Sequence, residues 1–120
     1  MTPQLIFKIV TQDLWRAAEA TGTFAGSQVD VDDGYIHFST AEQMRDTAAR
    51  HFGGQPDLLL VAVPVDRLGD ALKWEPSRGG QLFPHLYAPL RVDDVAWVKP
   101  LPVGADRVHV FPDNVDRPER

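Results

Sequence analysis

The sequence predicts one small α+β domain, rich in short strands and carrying two main helices. Three observations lead there. A chain of 120 residues matches a single core, which at this size buries about two thirds of the unfolded surface. Its 43% hydrophobic and 24% charged residues are globular proportions, far from those of disordered chains. Two stretches carry helix start and stop signals, while several short apolar or alternating runs read as strands.

Leu5 to Val10 reads as a strand, and Thr11 offers an N-cap hydroxyl to a helix running to Ala20, which Thr21-Gly22 ends. The polar stretch from Gly26 to Gly34 holds Asp30, Asp32 and Asp33 and reads as a long loop, a lid or rim. Tyr35 to Phe38 follows as a short strand. Ser39-Thr-Ala-Glu42 and Thr40-Ala-Glu-Gln43 both fit a capping box, and Ala41, Met44, Ala48 and Phe52 recur at near-helical spacing before Gly53-Gly54. The expected helix covers residues 41–52. Leu58 to Val65 is a continuous apolar run, too short for a typical helix, and reads as the central buried strand ending near Pro64. Leu72 to Glu75 is a further strand, Pro76-Ser-Arg-Gly-Gly80 a turn, and His85–Leu90, Asp94–Lys99 and Arg107–Phe111 are expected strands. The domain is expected over residues 1–111, with a polar tail over 112–120.

The net charge of -5 and the lack of basic residues interleaved with aromatics exclude a sequence-general nucleic-acid groove. The absence of cysteine excludes disulfides, thiolate catalysis and Cys-ligated zinc. The N-terminal residues lack the basic and apolar regions of a secretory signal, and no apolar run approaches a membrane span. A cytoplasmic location without membrane attachment is the expectation, and nothing points to a particular protein partner.

Two segments concentrate the chemistry. On an extended Tyr35–Ser39, the residues Tyr35, His37 and Ser39 share one face while Ile36 and Phe38 point into the core. Ser39 and Thr40 also open the expected helix, where free N–H groups attract phosphate or carboxylate; the same residues equally fit a plain cap beside a structural histidine. Phe83, His85 and Tyr87 share a face in the second segment, either as a site or as half-buried rings closing a sheet edge. Glu75 precedes the glycine turn and reads as a general base or ribose acceptor, or as a surface partner of Lys73 or Arg78. His37, His85 and Glu75 supply the types of a two-histidine, one-carboxylate metal set, but no H-x-x-x-H spacing supports one, and no metal is assigned. Ser39 lacks the Gly-x-Ser-x-Gly elbow of a hydrolase. His51 and His109 lie outside both segments.

Gly34-Tyr-Ile-His-Phe-Ser-Thr-Ala-Glu-Gln43, Lys73-Trp-Glu75 and Phe83-Pro-His-Leu-Tyr87 resemble the signature segments of the small bacterial DUF952 proteins, over roughly residues 4–103. The resemblance implies an ADP-ribosyltransferase-like fold of bent antiparallel sheets around an NAD-binding cleft. It implies catalytic roles for His37, Glu75 and His85, ligand contacts from Lys8, Ser39, Thr40 and Tyr87, and a small-molecule ligand such as NAD or an ADP-ribose compound, with no other cofactor assigned. A non-catalytic module for a nucleotide or small anionic metabolite is the alternative, and a partner-binding surface around Tyr87 is a third. One departure stands out: the family's first strand often carries His where this chain has Lys8, a point charge suited to phosphate and poorly suited to shuttling protons.

Overall fold

The computed structural model describes residues 4–112. Strand β1 (Leu5–Thr11) runs into helix α1 (Gln12–Thr21), which the Thr11 hydroxyl caps by accepting from the Leu14 N–H and which Gly22 closes in the left-handed region at φ 86°. After β2 (Thr23–Phe24), a six-residue helix α2 (Gln28–Asp33) occupies the stretch expected to be a loop. Its side chains explain the correction: the Asp30 carboxylate accepts from the Ser27 N–H at 2.8 Å and from the Ser27 hydroxyl at 3.1 Å, fixing the first turn, and Gly34 at φ 88° ends it.

Strand β3 (Ile36–His37) is shorter than the expected 35–38. Helix α3 (Met44–Phe52) begins later than the expected residue 41, because the Thr40 carbonyl accepts from the N–H groups of both Gln43 and Met44 and folds 40–43 into a turn. Strand β4 (Leu58–Pro64) fulfils the reading of the continuous apolar run: it pairs antiparallel with β1 from Leu5↔Pro64 to Thr11↔Leu58, and on its other edge with β8 (Trp97–Pro100). Between these come β5 (Leu72–Pro76), β6 (Leu82–Leu86) and β7 (Leu90–Arg91). The strand expected over 85–90 is thus two strands, parted at Tyr87-Ala-Pro89, where proline supplies no ladder N–H. The strand expected over 107–111 is a turn closed by a single bridge, Val103↔His109, with Arg107 at φ 64°. Of the expected tail, residues 113–120 lie outside the described residues.

The architecture is a small α+β domain of antiparallel sheets ordered β1-β4-β8, β2-β7 and β3-β6-β5. Alternation along β1 and β4 makes two cores. Ile6, Val10, Val61 and Val63 face α1 through Trp15 and Ala18 and meet Ile36, Phe38 and Leu86 of the second sheet. Phe7, Ile9, Leu58, Leu60 and Ala62 face α3 through Met44 and Ala48. Leu60, Val61 and Val63 are wholly buried, each such side chain stabilising by about 1.5–3 kcal/mol. The sheets join where Phe7 and Ser39 exchange backbone hydrogen bonds of 2.8 Å. That junction sets β3, and so His37, beside β1. Among the described residues no helix is long and apolar enough to cross a membrane.

Candidate functional site

The site stands on the outward face of the β3-β6-β5 sheet. His37 and His85 are direct register partners, and since Ile36 and Leu86 beside them enter the core, both imidazoles project from the other face, His37 partly exposed and His85 buried under Tyr35. Tyr35 and Tyr87 flank this pair at one end, while Ser39 leaves β6 to bridge Phe7 of β1. Tyr35 stacks on His85 at 4.2 Å between ring centroids with planes 29° apart, and lies 4.7 Å from His37 and 5.1 Å from Tyr87. Four rings form one continuous platform.

A carboxylate holds each histidine. His85 Nδ1 lies 2.8 Å from Glu75 Oε1, and the Tyr87 hydroxyl donates to the same oxygen at 2.8 Å. The carboxylate contact fixes the imidazole with Nδ1 turned toward Glu75. The hydrogen bonds from His85 and Tyr87 hold the Glu75 carboxyl below its ordinary range, so it stays anionic. The same bond pushes the Tyr87 phenol up to about 12. His37 Nδ1 is 2.6 Å from Asp30 Oδ1, and Nε2 is 2.9 Å from Asp33 Oδ2; only the imidazolium carries two N–H groups, so only that form donates to both. Burial first, then the charges of Asp33 and Glu75, raise the Tyr35 phenol.

Asp30, which sequence reasoning passed over, organises the cluster. It is 1% exposed and receives the Lys8 ammonium at 2.9 and 3.0 Å, the His37 backbone N–H at 3.1 Å, the His37 ring and the Ser27 N–H. Burial alone would raise its carboxyl, but the His37 hydrogen bond and the Lys8 charge outweigh it and hold the group well below the usual carboxylate range. A signal was present in the sequence: Ser27-Gln-Val-Asp30 followed by Gly34 is a capping box with a C-terminal glycine. Gly26 is needed beside it, because a Cβ there would lie 2.7 Å from Asp30 Cβ.

The structure therefore gathers His37, His85, Glu75 and Tyr87. Lys8 reaches the cluster from behind: it sits on the core face of β1 opposite Val61, 7% exposed, with burial lowering its pKa and Asp30 opposing that shift. Ser39 is buried further along the ladder, its hydroxyl 2.9 Å from that of Thr47. Thr40 lies in the turn before α3, its N–H donating to the Gln43 side chain at 3.0 Å, so the free N–H groups of the helix start do not fall at Ser39 and Thr40. His51 lies on the last turn of α3, and His109 is buried with Nε2 2.9 Å from the Gln55 carbonyl oxygen. A cleft of about 530 Å³ lined by Arg45, Ala48, Ala49, Arg107, His109 and Phe111 contains none of the platform residues. Among the described residues no group of three His, Cys, Asp or Glu is placed to hold a metal ion.

No curated protein matches the chain. The crystal structure of protein CC0527 from Caulobacter crescentus is similar at 51% identity, covering 88% of this chain and 93% of that one with a TM-score of 0.85. The solution NMR structure of the same protein is similar at 52% identity, covering 87% and 90% with a TM-score of 0.79. The family model described as "Protein of unknown function (DUF952)" matches residues 9–98. With the quoted motifs lying on the platform and the match spanning most of the chain, the protein belongs to the DUF952 family.

Proposed function

We propose that the platform binds the nicotinamide end of NAD and that the chain is an ADP-ribosyltransferase-like enzyme cleaving the bond between nicotinamide and ribose. The observation that carries the reading is the stack of Tyr35 on His85, framed by the exposed carboxylates of Asp33 and Glu75. Aromatic faces rimmed by negative charge favour a flat cation, and the pyridinium of NAD is one. Tyr35 follows Gly34, which closes α2 at φ 88°, and the ring it lays on His85 stands where the proposed ligand ring would sit.

In this mechanism the glycosidic bond breaks with its electron pair passing to the ring nitrogen, so neutral nicotinamide leaves. Glu75, kept anionic, opposes the positive charge growing at the anomeric carbon. His85 receives through Nε2 the proton of the attacking hydroxyl or water, with Glu75 steadying the imidazolium that results. His37, tied through both ring nitrogens to Asp30 and Asp33, fixes the Asp33 carboxylate and takes no part in proton transfer. The likeness to an ADP-ribosylation fold belongs to this proposal, and the two three-stranded sheets meeting at Phe7 and Ser39 are compatible with it.

One observation favours a binding module over an enzyme: the first-strand position often held by His is Lys8, and Asp30 already engages its charge. The readings separate in one experiment, in which purified protein is incubated with NAD and followed by thermal shift and by chromatography of free nicotinamide. The enzyme raises the melting temperature and releases nicotinamide, and Glu75→Gln lowers release by about 10²–10³-fold. A thermal shift without release supports the binding module; neither shift nor release rejects both.

A further inference from the structure

The ladder that carries the platform continues past it. Along the β5-β6 pairs from Lys73↔His85 to Glu75↔Phe83 it advances about 7 Å at the rise of an antiparallel strand. The charge changes sign along that distance. Around the rings stand the Asp33 carboxylate and that of Glu75, which reaches back from opposite Phe83, against the single cation Lys73. At the far end, the Arg78 guanidinium lies over the Phe83 ring at 5.0 Å, donates through Nη2 to the Thr47 hydroxyl at 3.1 Å, and places Nε 3.2 Å from Asp46. Arg50 pairs with the same Asp46 oxygen at 2.9 Å, so two guanidiniums share one carboxylate and a positive charge is left over.

The backbone adds donors at the same place. Arg78 is helical and Gly79 left-handed at φ 69°, followed by Gly80 at φ 80°. A right-handed residue followed by a left-handed one aims successive N–H groups into a shared concavity, a common anion seat. The Gly80 N–H donates to the Ser77 carbonyl, while those of Arg78 and Gly79 meet no acceptor among the described residues. A Cβ at Gly79 or Gly80 would meet nothing within 4 Å, so backbone conformation, and not crowding, calls for glycine, and the space above the turn is open.

Resting on the pyridinium reading above, we propose that Arg78 and the Arg78-Gly79 turn form the phosphate end of the ligand strip and receive the pyrophosphate of the dinucleotide. A flat cation at one end and a pyrophosphate at the other match the two signs of charge in one orientation. The role given to Lys8 by sequence thereby passes to Arg78, on the solvent side of the sheet.

Affinities of wild type, Arg78→Gln and Gly79→Ala for NAD, nicotinamide riboside and inorganic pyrophosphate, measured by calorimetry on variants of unchanged melting temperature, test it. Arg78→Gln weakens NAD roughly ten- to a hundred-fold, the worth of a charge-assisted hydrogen bond; it abolishes pyrophosphate binding and leaves the riboside, which has no phosphate, unchanged. Gly79→Ala moves in the same direction by less. Equal losses for NAD and riboside would show that Arg78 only pins the turn to α3, and unchanged NAD affinity would also overturn the assignment, both with the pyridinium reading intact. Binding of none of the three by wild type removes both readings.

Discussion

At the scale of single residues, the burial of Lys8 and Asp30 makes the sharpest demand. Taking either charge from water costs several kcal/mol, and the pair is tolerated because each group completes the other's hydrogen bonds. The two are not equivalent. Lys8 has Asp30 alone, whereas Asp30 also holds Ser27 and both the backbone and ring of His37. Asp30→Ala therefore strands an ammonium on an apolar face and is expected to cost about 3–5 kcal/mol, measured by urea unfolding, while Lys8→Met costs less because Asp30 keeps its other donors; the reverse order would refute this account. The pH dependence follows from the lowered carboxyl. As pH falls, the unfolded chain takes up its proton first, near the ordinary value of about 3.9, so the stabilisation is full above that value and is lost toward the lower folded one. Melting temperatures of wild type should fall below about pH 4 with a steeper slope than those of Asp30→Ala.

At the scale of elements, α2 decides whether the site is assembled, since it carries Asp30 and Asp33 to the two nitrogens of His37. Gly26→Ala tests this without removing a polar group. A side chain there meets Asp30 Cβ at 2.7 Å and must adopt φ 116°, a region costing about 1–3 kcal/mol for a residue other than glycine. The expected result is a destabilisation of that size and, by NMR, shifted His37 ring signals with those of His85 in place; loss of both would mean that the platform is one unit. The elements legible in sequence were those that local chemistry fixes. The unbroken run Leu58–Val65 reads as a central strand because it is covered on both faces, and Thr11 and Gly22 bracket α1. Helix α2 was hidden because Asp30, Asp32 and Asp33 read as solvated polarity, although one of them is the least exposed charge described. The site was half legible for the same reason. Strand alternation placed His37 on one face with Tyr35 and His85 on one face with Tyr87, but that the two histidines are register partners is a long-range fact, as is the meeting of Lys8 with a carboxylate 22 residues away.

At the scale of the whole molecule, β4 lies at the middle of the first sheet with a core on each face, so neither core survives without it. Its amides should therefore exchange with solvent only through global unfolding, whereas those of α2, a two-turn helix on the rim, open locally at lower cost. Hydrogen exchange followed by mass spectrometry or NMR is expected to show Leu60 and Val61 among the slowest amides, with Val31 and Gly34 faster. Ligand linkage sharpens the contrast, because a compound bound only by the folded state adds RT ln(1 + [L]/Kd) to every opening that destroys its site. If NAD seats on the platform, saturating NAD slows Val31 and Gly34, whose opening releases Asp30 and Asp33 from His37, by the same factor as the β4 amides. Slowing confined to β4 would mean that the ligand binds without α2, and that the carboxylates around His37 serve the fold and not the site.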